Sequence, residues 1–248
     1  MERELQTAHD LQMGLLPADP VIPGLDIAGM CRTTNHVGGD YYTYRWLDAA
    51  HTQVAIIIAD ATGHDMAAAI PAVMFSGMLD YAAQEQTPAA ILHTLNTSLC
   101  ARLPKRTFIT CCIGVLDLPR KMLVWSKAGH PGIYHYRRGE DRVRELEMES
   151  FPLGIRVDAH YEAVEVQLTD GDLFVWYTDG MVEACNDQEE AYGYERLEES
   201  VWRVGRERRS AQEGIERLMA EVREFMGGRE QEDDMTLIVV EVVGSPAS

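Results

Sequence analysis

Three uninterrupted apolar runs constrain the fold of this chain more than any other feature. They are residues 53–59 (QVAIIIA), 172–178 (DLFVWYT) and 235–243 (MTLIVVEVV). Each is too short for a long buried helix and is rich in β-branched and aromatic residues, which is typical of strands covered on both faces. With 248 residues, 46% of them hydrophobic, the chain is long enough to enclose such strands in a sizeable core.

The segments between these runs predict an α+β fold. Further strands are predicted at 25–31, 41–47, 107–118, 122–128, 133–137, 142–147 and 161–168, and helices at 2–16, 66–83, 88–103, 195–204 and 211–226. Consecutive strands joined by short turns favour antiparallel sheets, and helices that come in pairs disfavour a doubly wound parallel sheet. No internal repeat, low-complexity linker or clear domain boundary interrupts the pattern.

The division of the chain follows from these elements. Residues 1–16 are predicted to form a helix with Leu5, Ala8, Leu11 and Leu15 on one stripe, ended by Pro17 and serving as a connector or a dimer contact. Residues 17–243 are predicted to form a single domain, and residues 244–248 a frayed tail.

The charge balance excludes some classes of function. Lys and Arg number 22 against 40 Asp and Glu, a formal net charge of −18, so the surface repels phosphate backbones and nucleic-acid binding is not expected. The apolar runs are too short to span a bilayer, and no signal peptide is recognised. Five cysteines without CxxC spacing predict reduced, mostly buried thiols, and the protein is expected in the cytoplasm.

Aspartates stand at the ends of the apolar strands. Asp60 and Asp179 follow two of the runs directly, Asp233 and Asp234 immediately precede the third, and Asp40 leads into an aromatic strand. Carboxylates at the ends of buried strands are costly unless they are paired or bind a cation. If the strands are antiparallel neighbours, Asp233 is expected beside Asp60 and Asp179.

Glycines flank these positions and indicate close approach of the backbone. They are Gly38, Gly39, Gly63 and Gly180. The candidate donors are all oxygens, which suit Mg²⁺ or Mn²⁺ better than thiolate-bound zinc. Any one of these motifs is weak evidence, whereas four of them at strand ends are much more specific.

At this point the chain resembles the SpoIIE/RsbU-type branch of the PPM (type 2C) metal-dependent protein phosphatases, from about residue 6 to residue 243. The motifs that carry the resemblance are LQMGLLP (11–17), VGGDYY (37–42), IADATGHDMAAA (58–69), AGHP (128–131), PLGI (152–155), YTDGMVEACN (177–186), YGYERL (192–197) and DDMTLIVV (233–240). The resemblance implies two stacked antiparallel sheets flanked by helix pairs, a four-layer sandwich. It also implies two Mn²⁺ or Mg²⁺ ions that activate a water against a phosphoserine or phosphothreonine.

The resemblance also implies a role for each acidic position. Asp60 is expected to bridge the two ions and the Ala61 carbonyl to join one of them, while Asp179 and Asp233 hold one ion and Asp40 holds or orients waters on the other. Asp234 is expected to be a neighbour of the site, although the doubled acid leaves open which of the two aspartates binds directly. Asp40, Asp60, Asp179 and Asp233 are therefore the expected catalytic residues.

Candidate substrate contacts are Arg32, Gly39, His64 and Gly180. The Gly63-His64-Asp65 segment departs from the GHG of many relatives, and for His64 a structural role in the turn is favoured over acid catalysis. A surface or structural role is likewise favoured for Arg32 over a forked phosphate contact.

The implied partner is a phosphorylated STAS-domain anti-anti-sigma protein, with an upstream sensor or regulator, and a homodimer remains open. The helix pair 66–103 follows the bridging aspartate and is a candidate switch element. Three alternatives remain: a catalytically silent phosphatase-fold scaffold, a cyclic-dinucleotide synthase suggested by GGD, and a simple cation-binding module. Tyr41 and Tyr42 depart from the GGDEF pattern that the second alternative requires.

Overall fold

The computed structural model describes residues 2–34, 37–63, 66–207 and 209–244, with side chains from Gln6 onward. The helices within these ranges are α1 Glu2–Met13, α2 Met66–Ala82, α3 Pro88–Cys100, α4 Gly180–Glu183, α5 Gly193–Glu207 and α6 Ala211–Met226, with a 3-10 turn at Arg138–Glu140. The strands are β1 Leu25–Arg32, β2 Asp40–Trp46, β3 Gln53–Ala61, β4 Ile109–Asp117, β5 Met122–Ala128, β6 Ile133–Arg137, β7 Arg142–Leu146, β8 Val164–Gln167, β9 Leu173–Tyr177 and β10 Met235–Val242.

The chain forms two compact units, each built from three separate segments. Unit 1 comprises residues 1–17, 33–130 and 148–167, and unit 2 comprises residues 18–32, 131–147 and 168–248. Each unit contains one five-stranded antiparallel sheet and its own helices. The predicted α+β fold with two antiparallel sheets is therefore confirmed.

Unit 1 is organised around β3, in a sheet of order β2-β3-β4-β5-β8. Every residue from Val54 to Ala59 is buried, as the apolar run predicts. The odd-numbered side chains of this run share a core with residues of α2 and α3, among them Phe75 and Leu92. Helix α3 begins at its Thr87 cap, whose hydroxyl accepts a hydrogen bond from the Ala90 amide at 3.3 Å.

Unit 2 has the strand order β1-β10-β9-β6-β7, so the last strand lies between the first and the ninth. Helices α5 and α6 bury Leu197, Val201 and Ile215 in a core shared with alternate residues of β9 and β10. A capping box starts α6, with the Ser210 hydroxyl and the Glu213 carboxylate each accepting from the other's backbone amide.

Helix α1 differs most from its prediction. It ends at Met13, and its apolar stripe is not buried, since Leu11 is 69% and Leu15 41% exposed. The buried residue is Gln12, whose amide donates to the Gly38 carbonyl at 2.7 Å and accepts from the Gly38 amide at 3.1 Å. A paired polar contact therefore anchors this helix to unit 1, while Leu11 and Leu15 remain exposed.

Two further findings concern composition. No helix among the described residues is long and apolar enough to cross a membrane. None of the five cysteines, all of which lie within the described ranges, forms a disulfide, which agrees with the predicted reduced thiols. Only Cys111 and Cys112 are buried, and the other three are partly exposed.

Candidate metal and phosphate site

Antiparallel pairing brings Asp40 and Asp60 together in unit 1. Asp40 begins β2, Asp60 lies one residue before the end of β3, and the two are direct cross-strand partners. Side chains at such positions point to the same face of a sheet, with Cβ atoms about 5 Å apart. Asp40 is only 3% exposed. Two carboxylates so close, one buried and the other partly buried, repel each other unless a cation or a proton lies between them.

Gly39 packs its backbone against the same pair. A Cβ at this position would lie 2.5 Å from the Ala61 carbonyl oxygen and 2.9 Å from Asp60 Oδ1. The Ala61 amide donates to the Gly39 carbonyl at 3.1 Å, which fixes the two backbones side by side. A side chain at Gly39 would therefore displace two oxygens that the sequence nominates as ligands. The second glycine of the VGGD motif has a steric reason in this contact.

In unit 2, Asp179 and the Asp233-Asp234 pair lie at one end of the sheet. Asp179 follows β9 and caps the one-turn helix α4, and Asp233 and Asp234 precede β10, the strand paired with β9. The Asp234 amide donates to Asp233 Oδ1 at 2.8 Å, which holds that carboxylate against its own backbone.

Gly180 makes the approach of these two segments possible. A Cβ on Gly180 would lie only 2.0 Å from the Asp234 carbonyl oxygen, a distance at which the backbone itself would have to move. The glycine after Asp179 is therefore required by the packing of α4 on the start of β10.

Burial perturbs the carboxylates of unit 2. Burial is the main cause that raises the pKa of Asp179 and of Asp233 above the ordinary value, and the charges of Asp179 and Asp234 raise the pKa of Asp233 further. The pKa of Glu183 is also raised, first by burial and then by the charges of Asp179 and Asp233. These acids therefore form one coupled group in which the charged forms are disfavoured until a cation arrives.

Glu183 is a member of this group that the sequence analysis missed. It lies in MVEACN, four residues after Asp179, and the one-turn helix α4 brings it back toward that aspartate. The segment was not predicted to be helical because a single turn is too short to show a periodic pattern.

The strand order divides the predicted acids into two pairs. Strand β10 neighbours β9 and β1, and β3 neighbours β2 and β4, so strand pairing accounts for Asp233 beside Asp179 but not for Asp233 beside Asp60. The expectation that one sheet edge gathers all of them is therefore wrong, because β3 and β10 belong to different sheets.

The other nominated residues have different positions. Arg32 is exposed at the end of β1, paired with Met235, so it shares the sheet end that carries Asp234, and its carbonyl accepts from Gln231 Nε2 at 2.8 Å. His64 and Asp65 lie outside the described residues, and the role of His64 stays a prediction.

The carboxylate oxygens suit Mg²⁺ or Mn²⁺, and they occur in pairs. Within the described ranges, no group of three or more His, Cys, Asp or Glu side chains converges to hold a metal ion. Mg²⁺ is commonly held by one or two carboxylates and completes its shell with water and substrate phosphate oxygens. Each unit offers a close carboxylate pair beside a glycine backbone whose space a Cβ would fill, and this arrangement fits such an ion.

Comparisons with known proteins agree on one family. A family model described as Stage II sporulation protein E (SpoIIE) matches residues 50–243. The phosphoserine phosphatase RsbU of Bacillus subtilis (strain 168) is 26% identical over 189 residues, which are 74% of this chain and 54% of RsbU. The chain therefore spans about half the length of that curated relative.

Solved structures show the same fold. The SiaA-PP2C domain of Pseudomonas aeruginosa matches with a TM-score of 0.84 at 24% identity, covering 97% of this chain and 95% of that domain. RsbX, solved in complex with magnesium, matches with a TM-score of 0.66 at 12% identity, covering 91% of this chain and 98% of RsbX.

Proposed function

We propose, from the premise that this chain belongs to the SpoIIE family within the SpoIIE/RsbU branch of the PPM phosphatases, that it is a metal-dependent protein serine/threonine phosphatase. The observation that carries the proposal is the presence of two close carboxylate pairs, Asp40 with Asp60 and Asp179 with Asp233, each beside a glycine whose backbone packs against it. Such pairs are costly in a folded protein unless they bind cations. The relative named a phosphoserine phosphatase supports the same reaction class.

The proposed cofactors are two Mn²⁺ or Mg²⁺ ions. As the resemblance implies, Asp60 would be shared by both ions and the Ala61 carbonyl would join one of them, while Asp179 and Asp233 would hold one ion and Asp40 would hold or orient waters on the other. Paired divalent cations lower the pKa of a water toward neutrality and neutralise phosphoryl oxygens. The all-oxygen donor set and the raised pKa values of Asp179 and Asp233 support this assignment. Asp234 is buried beside Asp233 and is proposed as its support.

The proposed substrate is a phosphoserine or phosphothreonine on a STAS-type anti-anti-sigma protein, and this finer assignment rests on the family resemblance. Arg32 is proposed to contact the substrate phosphate, since it is exposed at the sheet end that carries Asp234. A guanidinium binds two phosphate oxygens at once. Gly39 and Gly180 are proposed to contribute indirectly, because the absence of a side chain at each lets the backbone that carries the metal-binding aspartates pack closely. We also propose a cytoplasmic location, which five free cysteines support.

The reaction is tested with a phosphoserine-bearing STAS protein as substrate. We expect phosphate release with Mn²⁺ or Mg²⁺, none after chelation, and recovery when the metal is restored. A phosphotyrosine peptide and GTP serve as control substrates and should not be turned over. Tight binding of the phosphoprotein with no release at any metal concentration would favour the silent scaffold. Mn²⁺ binding without either activity would favour the simple cation-binding module, and turnover of GTP would favour the cyclic-dinucleotide synthase.

The apolar groove between α1 and α2 is proposed as the contact for an upstream regulator or a second copy. Its lining includes Leu11, Leu15, Ile70 and Val73, each at least 41% exposed, and helix α2 follows directly after the Asp60 segment. A contact there would move α2 against β3, so it offers a route from α1 to the proposed ligands.

Removing residues 1–16 tests this contact. If α1 mediates a dimer, the truncated chain should have about half the mass in light scattering and an altered rate. Leu11→Lys should act in the same direction, and Val21→Lys, at a position 98% exposed and outside the groove, should change neither. Equal mass and equal activity in the wild type, the truncated chain and both point variants would contradict the proposed contact at α1.

A further inference from the structure

A row of polar side chains crosses the sheet of unit 1 at the level of Asp60. Asp60 is paired on one side with Asp40 and on the other with Thr110, the second residue of β4. His130, just beyond β5, continues the row, with Nδ1 2.8 Å from the Thr110 hydroxyl. His130 is only 2% exposed, so its ring lies under the surface.

The hydrogen bonds of this row have one consistent direction. The Thr110 hydroxyl also faces the backbone carbonyl of Asp60, at 3.5 Å. A hydroxyl has one proton to donate, and a carbonyl can only accept. When the Thr110 hydroxyl donates to the Asp60 carbonyl, its oxygen is left to accept from His130 Nδ1, and this is the direction that links all three groups.

The backbone around His130 is fixed by contacts with neighbouring residues. The buried ammonium of Lys127 donates to the His130 carbonyl at 2.7 Å. The preceding Gly129 has φ of +66°, and a Cβ there would lie 2.4 Å from the Pro152 ring. The Gly129 amide donates to the Ser150 hydroxyl at 3.0 Å. The AGHP and PLGI motifs thus pack on each other and set the position of the imidazole.

We propose that His130 and Thr110 are positioning residues that fix the Asp60-Ala61 peptide, and through it the affinity for the divalent cation. This inference rests on the proposed function, because Asp60 and the Ala61 carbonyl are ligands only there. A shift of the backbone at Asp60 would move its carboxylate and, one residue later, the Ala61 carbonyl, and the contact of the Asp60 carbonyl with Thr110 opposes this shift. Residues that orient a metal ligand without touching the ion alter its affinity by about 10- to 100-fold.

Mn²⁺ binding, measured by titration calorimetry and by electron paramagnetic resonance of the free ion, tests the proposal. We expect Thr110→Val and His130→Leu each to weaken binding about tenfold. Thr110→Ser keeps the hydroxyl, and His130→Asn keeps a donor where Nδ1 stands, so both should bind close to wild type. The double variant Thr110→Val/His130→Leu should be no weaker than either single one, because both changes break the same chain.

His135 offers a matched control. It is equally buried, and its Nε2 lies 3.1 Å from Asp172, which precedes β9 at the end opposite Asp179. His135→Asn breaks that pair and should lower the melting temperature without changing the Mn²⁺ affinity. Wild-type affinity in Thr110→Val, failure of Thr110→Ser to restore binding, or an equal loss in His135→Asn would overturn the inference. A wild-type chain that binds no Mn²⁺ would instead overturn the proposed function on which it rests.

Discussion

Asp179→Asn is expected to reduce metal-dependent phosphate release by about three orders of magnitude or more, the equivalent of roughly 4 kcal/mol of transition-state stabilisation. The amide keeps the size of the side chain and loses the charge that would hold the cation. The measurement is release of phosphate from a phosphoserine protein with Mn²⁺, compared with wild type. Asp170→Asn is the matched control, because Asp170 is exposed before the other end of β9.

The same variant should not lower the stability of the metal-free protein at neutral pH. Burial raises the folded-state pKa of Asp179 above the ordinary 3.8. Between pH 3.8, where the unfolded chain titrates, and the raised pKa of the folded state, the folded protein binds more protons than the unfolded chain. The free energy of unfolding therefore falls as the pH rises through this range. Replacing it should therefore raise the melting temperature at pH 7 without metal. A variant that unfolds, or one that retains full activity, would contradict the assigned role.

Gly180→Ala is expected to cost about 1–3 kcal/mol of unfolding free energy, since its Cβ would meet the Asp234 carbonyl oxygen at 2.0 Å and the backbone must shift. The loss of activity should be larger, about 100-fold, because a displacement of about 1 Å at a reacting centre has that effect. Denaturant unfolding and steady-state kinetics on the same preparation measure both quantities.

Gly139→Ala provides the control for this steric prediction. Gly139 also lies in a short helical turn of unit 2, and a Cβ there would meet nothing within 4 Å. Its stability and activity should match those of wild type. If Gly180→Ala is equally harmless, the close approach of α4 to the start of β10 is not required, and the proposed support of Asp233 fails with it.

Local signals in the sequence predict most of the elements. Helix α6 begins and ends at the predicted residues, Ala211 and Met226, and β10 differs from its prediction by one residue. The hairpin of β4 with β5 and the pairing of β6 with β7 are confirmed as antiparallel. Helix caps, turn residues and the spacing of apolar residues depend on residues that are close along the chain, so a short stretch of sequence is enough to predict them.

The predictions that failed depend on contacts between residues that are distant along the chain. Helix α1 is predicted to extend to residue 16 but ends at Met13, and it is held by Gln12 on Gly38, a polar contact that no periodicity reveals. Strand β8 is shorter than its alternating pattern suggested. The pairing of the acids depends on which strands become neighbours, and strand order is set by long-range contacts. The individual site residues stay predictions that the experiments above address.

The position of β10 has a consequence for synthesis of the protein. During translation, β2, β3, β4 and β5 emerge in the order in which they lie in their sheet. The other sheet is completed only when β10 emerges, because β1 joins β9, β6 and β7 through that strand. Until the ribosome releases that segment, the nascent chain exposes two unpaired apolar edges, which are templates for aggregation. Chaperone demand should therefore fall once β10 has been synthesised.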